Sequence, residues 1–159
     1  MVQPWYIFGR VVKRVHSLIG SQAYRLRVEV QQASTSRWYS AEYSSFRIDN
    51  EATYEYRLDV SGYSGDAGDA LCHDSDHNGN GYYGWYLHNW MKFTTYDNDN
   101  DNDDGPGACS SNTRGGWWYN RCHYACLTCR SVDNVWWTLP GDVGVVNSRM
   151  LIKPQWVAY

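Results

Sequence analysis

The sequence predicts a β-rich α+β domain, with a twisted antiparallel sheet first and a loop-rich subdomain after it. Three observations carry this expectation. Apolar–polar alternation runs through Tyr24, Leu26, Val28 and Val30, with Arg25, Arg27 and Glu29 on the other face. It recurs through Tyr54, Tyr56, Leu58 and Val60 against Glu55, Arg57 and Asp59. Beyond Val60 the pattern dissolves into Gly, Ser, Asp and Asn, the residues of turns and ordered loops.

In chain order, residues 1–20 are mildly basic and poorly patterned, with no convincing amphipathic helix. Tyr24–Val30 reads as a half-buried strand, and Ser34–Ser36 as a polar turn. Tyr43–Ile48 reads as a short strand closed by Asp49-Asn50, and Tyr54–Val60 as the strongest strand of all. Two such strands imply an antiparallel sheet with one wet face. Ser61–Ala70 is too Gly-rich for a strand interior. Residues 73–90 read as a long loop, and Phe93–Tyr96 as a further strand. The chain divides into an N-terminal segment, 1–23, and a domain over 24–159, in which the resemblance described below implies an insertion at 73–87.

At 159 residues the chain suits one domain with a real core. Hydrophobic residues are 43% and charged ones 19%, which argues against disordered and membrane classes. Nine Trp and fourteen Tyr supply rings with polar tips, suited to core and recognition surface alike. The net charge is −3, but five of the seventeen carboxylates sit in one loop, and the remainder is mildly basic. No cluster of Lys and Arg marks a nucleic-acid footprint. No run of eighteen apolar residues predicts a membrane-spanning helix. Residues 1–10 show no secretory signal, while five cysteines point toward an oxidising compartment.

The loop is Asp97-Asn98-Asp99-Asn100-Asp101-Asn102-Asp103-Asp104-Gly105-Pro106-Gly107. Carboxylates this close repel one another, and neither a helix nor a strand suits such residues. A hard cation would hold them, and calcium takes six to eight oxygen ligands in flexible geometry. The alternative is a solvated acidic loop without a ligand. An EF-hand starting at Asp97 would require Gly and Glu where Asn102 and Ala108 stand. Starting at Asp99 puts Asp104 and Ser110 there, so the loop is not an EF-hand.

Several ordered motifs then resemble one family. They are Tyr54-Glu55-Tyr56-Arg57-Leu58-Asp59-Val60, Tyr63-Ser64-Gly65-Asp66-Ala67-Gly68-Asp69-Ala70-Leu71 and Lys92-Phe93-Thr94-Thr95-Tyr96-Asp97. After Cys109 come Gly115-Gly116-Trp117-Trp118-Tyr119-Asn120-Arg121-Cys122-His123 and finally Ser148-Arg149-Met150-Leu151-Ile152-Lys153-Pro154. Over roughly residues 24–154 the chain resembles the fibrinogen C-terminal domain family, which includes fibrinogen chains, ficolins, tachylectins and angiopoietins. The resemblance implies secretion and a calcium site of the Asp99 and Asp101 side chains with the Asp103 and Gly105 carbonyls. The loop is about two residues longer than the family's, so Gly107 or the Asp103 carboxylate stands in for one of these. It also implies a Cys109–Cys122 disulfide and a cis peptide between Arg121 and Cys122 beside a ligand pocket. His123 takes the position of a pocket histidine. Tyr119, Trp136 and Trp137 are the aromatic walls, and Asp133 matches a carboxylate that receives a peptide's N-terminal amine.

Cys126 and Cys129 form a C-x-x-C that the family lacks. Three readings stand: a disulfide, free or differently paired thiols, and a zinc site with Cys122 and His123. Cys72 is left over as a buried, free or intermolecular thiol. The resemblance implies a calcium-supported recognition domain for acetylated carbohydrates, acting in innate immunity, with multivalent assembly as a homo-oligomer. The alternative is a protein-binding module for a receptor or peptide, using the same surface. An enzyme is not expected, since no Gly-x-Ser-x-Gly, His-Glu-x-x-His or phosphate loop is present. His73, His77 and His88 with Asp74 and Asp76 would be the zinc candidates, and a solvated loop is the stronger reading of that segment.

Overall fold

The computed structural model describes residues 5–72, 86–105, 107–130 and 133–155, with backbone alone for residues 5–8. Its elements in order are α1 (Trp5–Ile19), β1 (Tyr24–Gln32), β2 (Trp38–Ile48), α2 (Glu51–Tyr54), β3 (Leu58–Gly65), α3 (Cys109–Thr113), β4 (Ala125–Cys126), β5 (Val135–Trp136) and β6 (Val145–Pro154). Four strands form one antiparallel sheet in the order β3-β2-β1-β6, and β4 pairs with β5.

Alternation in β1 places Leu26, Val28 and Val30 in the core. In β2 the buried set changes phase, from Tyr39, Ala41 and Tyr43 to Phe46 and Ile48. A register shift explains this: Tyr24 pairs with Phe46 but Leu26 with Tyr43, so one extra β2 residue is absorbed there. The opposite face is wet and charged. Arg27 pairs with Glu29 and Glu42, Arg149 with Glu29, and Arg47 with Asp59 at 2.7 Å.

Residues 5–19, expected to be unpatterned, form the helix α1. Val12 and Ile19 are buried and Val15 is half-buried, a helical i, i+3, i+7 stripe. Arg10, Lys13 and Arg14 interrupt the stripe in sequence but point elsewhere around the helix. The Tyr54–Val60 strand is also corrected. Glu51–Tyr54 is a helical turn, capped by the Asn50 side chain accepting from the Thr53 N–H at 2.9 Å. Glu55 and Tyr56 then take left-handed backbone, and β3 starts at Leu58 and runs through the Gly-rich stretch to Gly65. The Phe93–Tyr96 strand reduces to isolated bridges, Thr94 with Trp117 and Thr95 with Asn98.

The loop subdomain has its own aromatic core. Trp117, Trp118, Tyr119 and Trp136 are buried, and the Trp118 indole donates to the Tyr56 carbonyl at 2.8 Å. Gly115 is required by a close approach: a Cβ there would meet the Thr128 carbonyl oxygen at 2.3 Å.

Candidate recognition site

The acidic loop is held in shape by its own side chains. Thr95 Oγ1 donates to Asp97 at 2.8 Å, and the Asn100 carboxamide donates to the Phe93 carbonyl at 2.9 Å. Asp101 is the pivot. One oxygen accepts the Asp103 N–H at 3.0 Å and the other the Cys109 N–H at 2.8 Å. Asp99 accepts the Asp101 N–H at 3.3 Å, which sets the two carboxylates side by side. Burial, with the Asp99 charge adding to it, holds the Asp101 acid above the usual carboxylate range, despite two amide donors that act the other way. The Asp103 carboxylate lies over Gly105 and close to the Cys109 and Cys122 sulfurs. Those sulfurs are bonded to each other, so the cluster offers no thiolate.

Two disulfides are present, Cys109–Cys122 and Cys126–Cys129. The second resolves the C-x-x-C alternatives and leaves no thiolate for the zinc cluster. Cys72 is free. Its thiol donates to the Val60 carbonyl at 3.3 Å, and burial together with Asp69 pushes it up to about 12. It is an inert structural thiol.

The Arg121–Cys122 peptide is cis. The segment around it is tied to the acidic loop at four points. The Asn102 N–H donates to the Asn120 carbonyl at 2.9 Å, and the Asn102 carboxamide donates to the Asn120 side-chain oxygen at 2.9 Å. Arg121 bridges to Asp104 at 2.5 Å, an exposed pair of modest strength. The Cys109–Cys122 bond joins the residue that Asp101 holds to the residue after the cis peptide.

His123 follows, half-buried, with its ring 6.0 Å from that of Tyr119. Burial pulls its basicity down and the nearby Asp133 partly restores it. Its Nδ1 is buried without a hydrogen-bond partner among the described residues, as is the Asn134 side-chain oxygen. Asp133 accepts from Arg130 at 2.5 Å. The expected aromatic walls divide. Trp137 is 52% exposed and stacks on Tyr124 at 6.1 Å, so this pair presents a ring surface. Tyr119 and Trp136 do not. Tyr119 is fully buried, its hydroxyl 2.6 Å from Thr113 Oγ1 and 3.0 Å from the Gly115 carbonyl. Trp136 is fully buried and donates to the Gly68 carbonyl at 3.1 Å. Both support the segment from behind, because β5 turns Trp136 inward while Trp137 turns out.

His88 is the residue that sequence reasoning misplaced. It is fully buried, hydrogen-bonded through Nδ1 to the Trp118 carbonyl at 2.7 Å, and its Nε2 accepts the Tyr124 and Ala125 N–H groups at 3.1 and 2.8 Å. Burial lowers it to about 3. A base buried without a charged partner stays neutral, which does not suit a solvated loop. Its signal was its place between the insertion and the Lys92–Tyr96 motif. His73, His77, Asp74 and Asp76 lie outside the described residues.

A sheet that carries a disulfide-closed loop subdomain, with ordered backbone around a half-buried histidine, defines a loop-presenting binding domain. The family model for the C-terminal globular domain of fibrinogen beta and gamma chains matches residues 6–154, and the chain belongs to this family. Its domains are non-enzymatic binding modules. The fibrinogen beta chain of Petromyzon marinus is 41% identical over 117 residues, covering 71% of this chain and 24% of that one. The fibrinogen-like globe domain of human ANGPTL6 superposes with a TM-score of 0.70 at 29% identity, covering 90% of this chain and 62% of that one. Lamprey fibrin D-dimer, complexed with the peptide Gly-His-Arg-Pro-amide, superposes at 0.75 with 28% identity, covering 93% and 50%. The chain spans less than half the length of the curated relatives it matches.

Proposed function

We propose that the chain is a calcium-supported recognition module for a protein or peptide ligand, bound beside the Arg121-Cys122-His123 segment. The observation that carries this reading is the four-point tie between the acidic loop and that segment. An ion that fixes the loop thereby fixes the surface next to it. The donor set suits calcium, since it consists of oxygens alone and the Asp99–Asp101 repulsion is relieved by a cation. Asp99 and Asp101 would hold it by their side chains and Asp103 and Gly105 by their carbonyls, the ion supplying charge neutralisation and no chemistry.

The ligand surface consists of the exposed Trp137–Tyr124 stack, the half-buried His123 ring and the Asp133 carboxylate. An exposed ring surface together with a carboxylate able to receive an amine suits a short peptide end. Support for a peptide also comes from the lamprey structure, whose bound ligand is a tetrapeptide amide. Two disulfides suit an extracellular setting.

The test is calorimetric titration with Gly-His-Arg-Pro-amide and with its N-acetylated form, at millimolar calcium and with chelator. Binding of the free-amine peptide in calcium alone supports the reading. Preference for the acetylated form, or for N-acetylated sugars, supports acetyl recognition instead. Equal binding with chelator removes calcium from the account.

A further inference from the structure

β6 ends the sheet. Among the described residues it pairs with β1 on one side and with no strand on the other. Soluble proteins keep such edges short, charged or covered, because an open row of N–H and C=O groups recruits another chain. β6 is 10 residues long and carries Met150-Leu151-Ile152, consecutive apolar side chains that are 37%, 45% and 36% exposed. We propose that this edge is a self-association surface, pairing antiparallel with β6 of a second copy of the chain about a twofold axis centred on Met150.

The ladder with β1 fixes which backbone groups face outward. The Gln155 N–H donates to the Ala23 carbonyl at 3.0 Å, and Arg25–Lys153, Arg27–Leu151 and Glu29–Arg149 are partners in the same register. Antiparallel pairs alternate, so Arg149, Leu151 and Lys153 direct their backbone groups to β1, and Ser148, Met150 and Ile152 direct theirs to the open edge. A second β6 bonds to this row only in registers that set Ser148, Met150 and Ile152 against one another.

Charge selects among those registers. Centring on Arg149 sets two Arg149 side chains face to face, and centring on Leu151 sets Arg149 against Lys153 of the second copy. Centring on Met150 sets Arg149 against Leu151 and Lys153 against Asn147, so no like charges stand opposite, and Ser148 exchanges hydrogen bonds with Ile152. Arg149 does not guard the edge, because its charge is met within the chain by Glu29 and by the Trp38 ring at 5.5 Å.

The core side of this edge is unfinished in the single chain. Met150 and Ile152 are in register with the buried Val28 and Leu26, which places them on the core face. They line an apolar cavity of about 260 Å³ together with Val11, Val15, Phe46 and Trp117, yet remain partly exposed. The twofold axis brings a second Met150 beside the first, and its flexible apolar side chain covers this rim. The pairing stands on the sheet alone and does not depend on the recognition reading.

The test is sedimentation equilibrium of the full chain without ligand, from about 1 μM to about 1 mM. A monomer–dimer equilibrium in this range is expected, and a monomer throughout overturns the proposal. Asn147 stands opposite Lys153 at both ends of the paired segment. Asn147→Lys is therefore expected to raise the dissociation constant about fivefold, and Asn147→Glu to lower it by about as much. Equal constants for the two variants overturn the proposal. Amide hydrogen exchange decides without a variant. Protection at Ser148, Met150 and Ile152 is expected to rise with protein concentration, while Arg149 and Leu151, already bonded to β1, stay unchanged. Protection of the outward amides that does not depend on concentration means that another segment of the chain covers the edge, and this too overturns self-association.

Discussion

Asn102 and Asn120 are joined twice, backbone to backbone and side chain to side chain, both at 2.9 Å. One residue belongs to the acidic loop and the other directly precedes Arg121. Through this link a cation bound in the loop, as proposed above, would act on a surface it does not touch.

Cutting the side-chain half of that link is expected to uncouple the two parts. Asn102→Ala and Asn120→Ala each lose about 1 kcal/mol of stability, with more where the partner is left unsatisfied. In a double-mutant cycle the two are expected to be non-additive by about 0.5–1.5 kcal/mol. Urea unfolding of the four proteins checks this, and strict additivity contradicts the link.

Calcium is expected to stabilise the fold. At a hundredfold excess over its dissociation constant it contributes about 2.7 kcal/mol. That amounts to a rise in Tm of roughly 5–10 °C for a domain of this size. Asp101→Asn is expected to lose most of that rise, because it removes charge from the pivot of the site. Calorimetric scans with calcium and with chelator give the comparison.

Stability is expected to fall in acid through His88. Its folded-state basicity is depressed, to about 3 against about 6.5 unfolded. The unfolded chain therefore takes up the extra proton between those values. The stabilisation is complete above about 6.5 and drains away as pH falls toward 3. About 2 kcal/mol of it is lost by pH 5. Burial pulls His123 the same way, with Asp133 opposing. Denaturant midpoints at pH 7.5 and 5, in the wild type and His88→Gln, isolate the His88 share.

Tyr119→Phe is expected to cost about 1–3 kcal/mol. The lost hydroxyl lies at the centre of a buried set, 2.6 Å from Thr113 and 3.0 Å from the Gly115 carbonyl. Chemical denaturation measures the loss. A neutral substitution would mean that these groups find other partners.

The sheet was legible where alternation met a single wet face, as in β1. It was misread at Tyr54–Val60, where Glu55 and Tyr56 turn left-handed and let a helical turn, a corner and a strand share an alternating pattern. The acidic stretch was legible as a loop, since crowded carboxylates with Asn, Gly and Pro suit neither a helix nor a strand. Tyr119 and Trp136 were misassigned because sequence does not reveal which of two adjacent aromatics faces inward. Trp136 and Trp137 are neighbours, one buried and one 52% exposed. His88 was missed for a similar reason. Its three contacts lie 30 to 37 residues away in the chain.

The central claim is that the cation of the acidic loop organises the recognition segment. The direct measurement is a calcium titration followed by backbone amide shifts of the labelled chain. The amides of Asn120, Cys122 and His123 are expected to shift along one binding curve with those of Asp99 and Asp101. Shifts confined to residues 97–105, or no saturable shift at millimolar calcium, would contradict it.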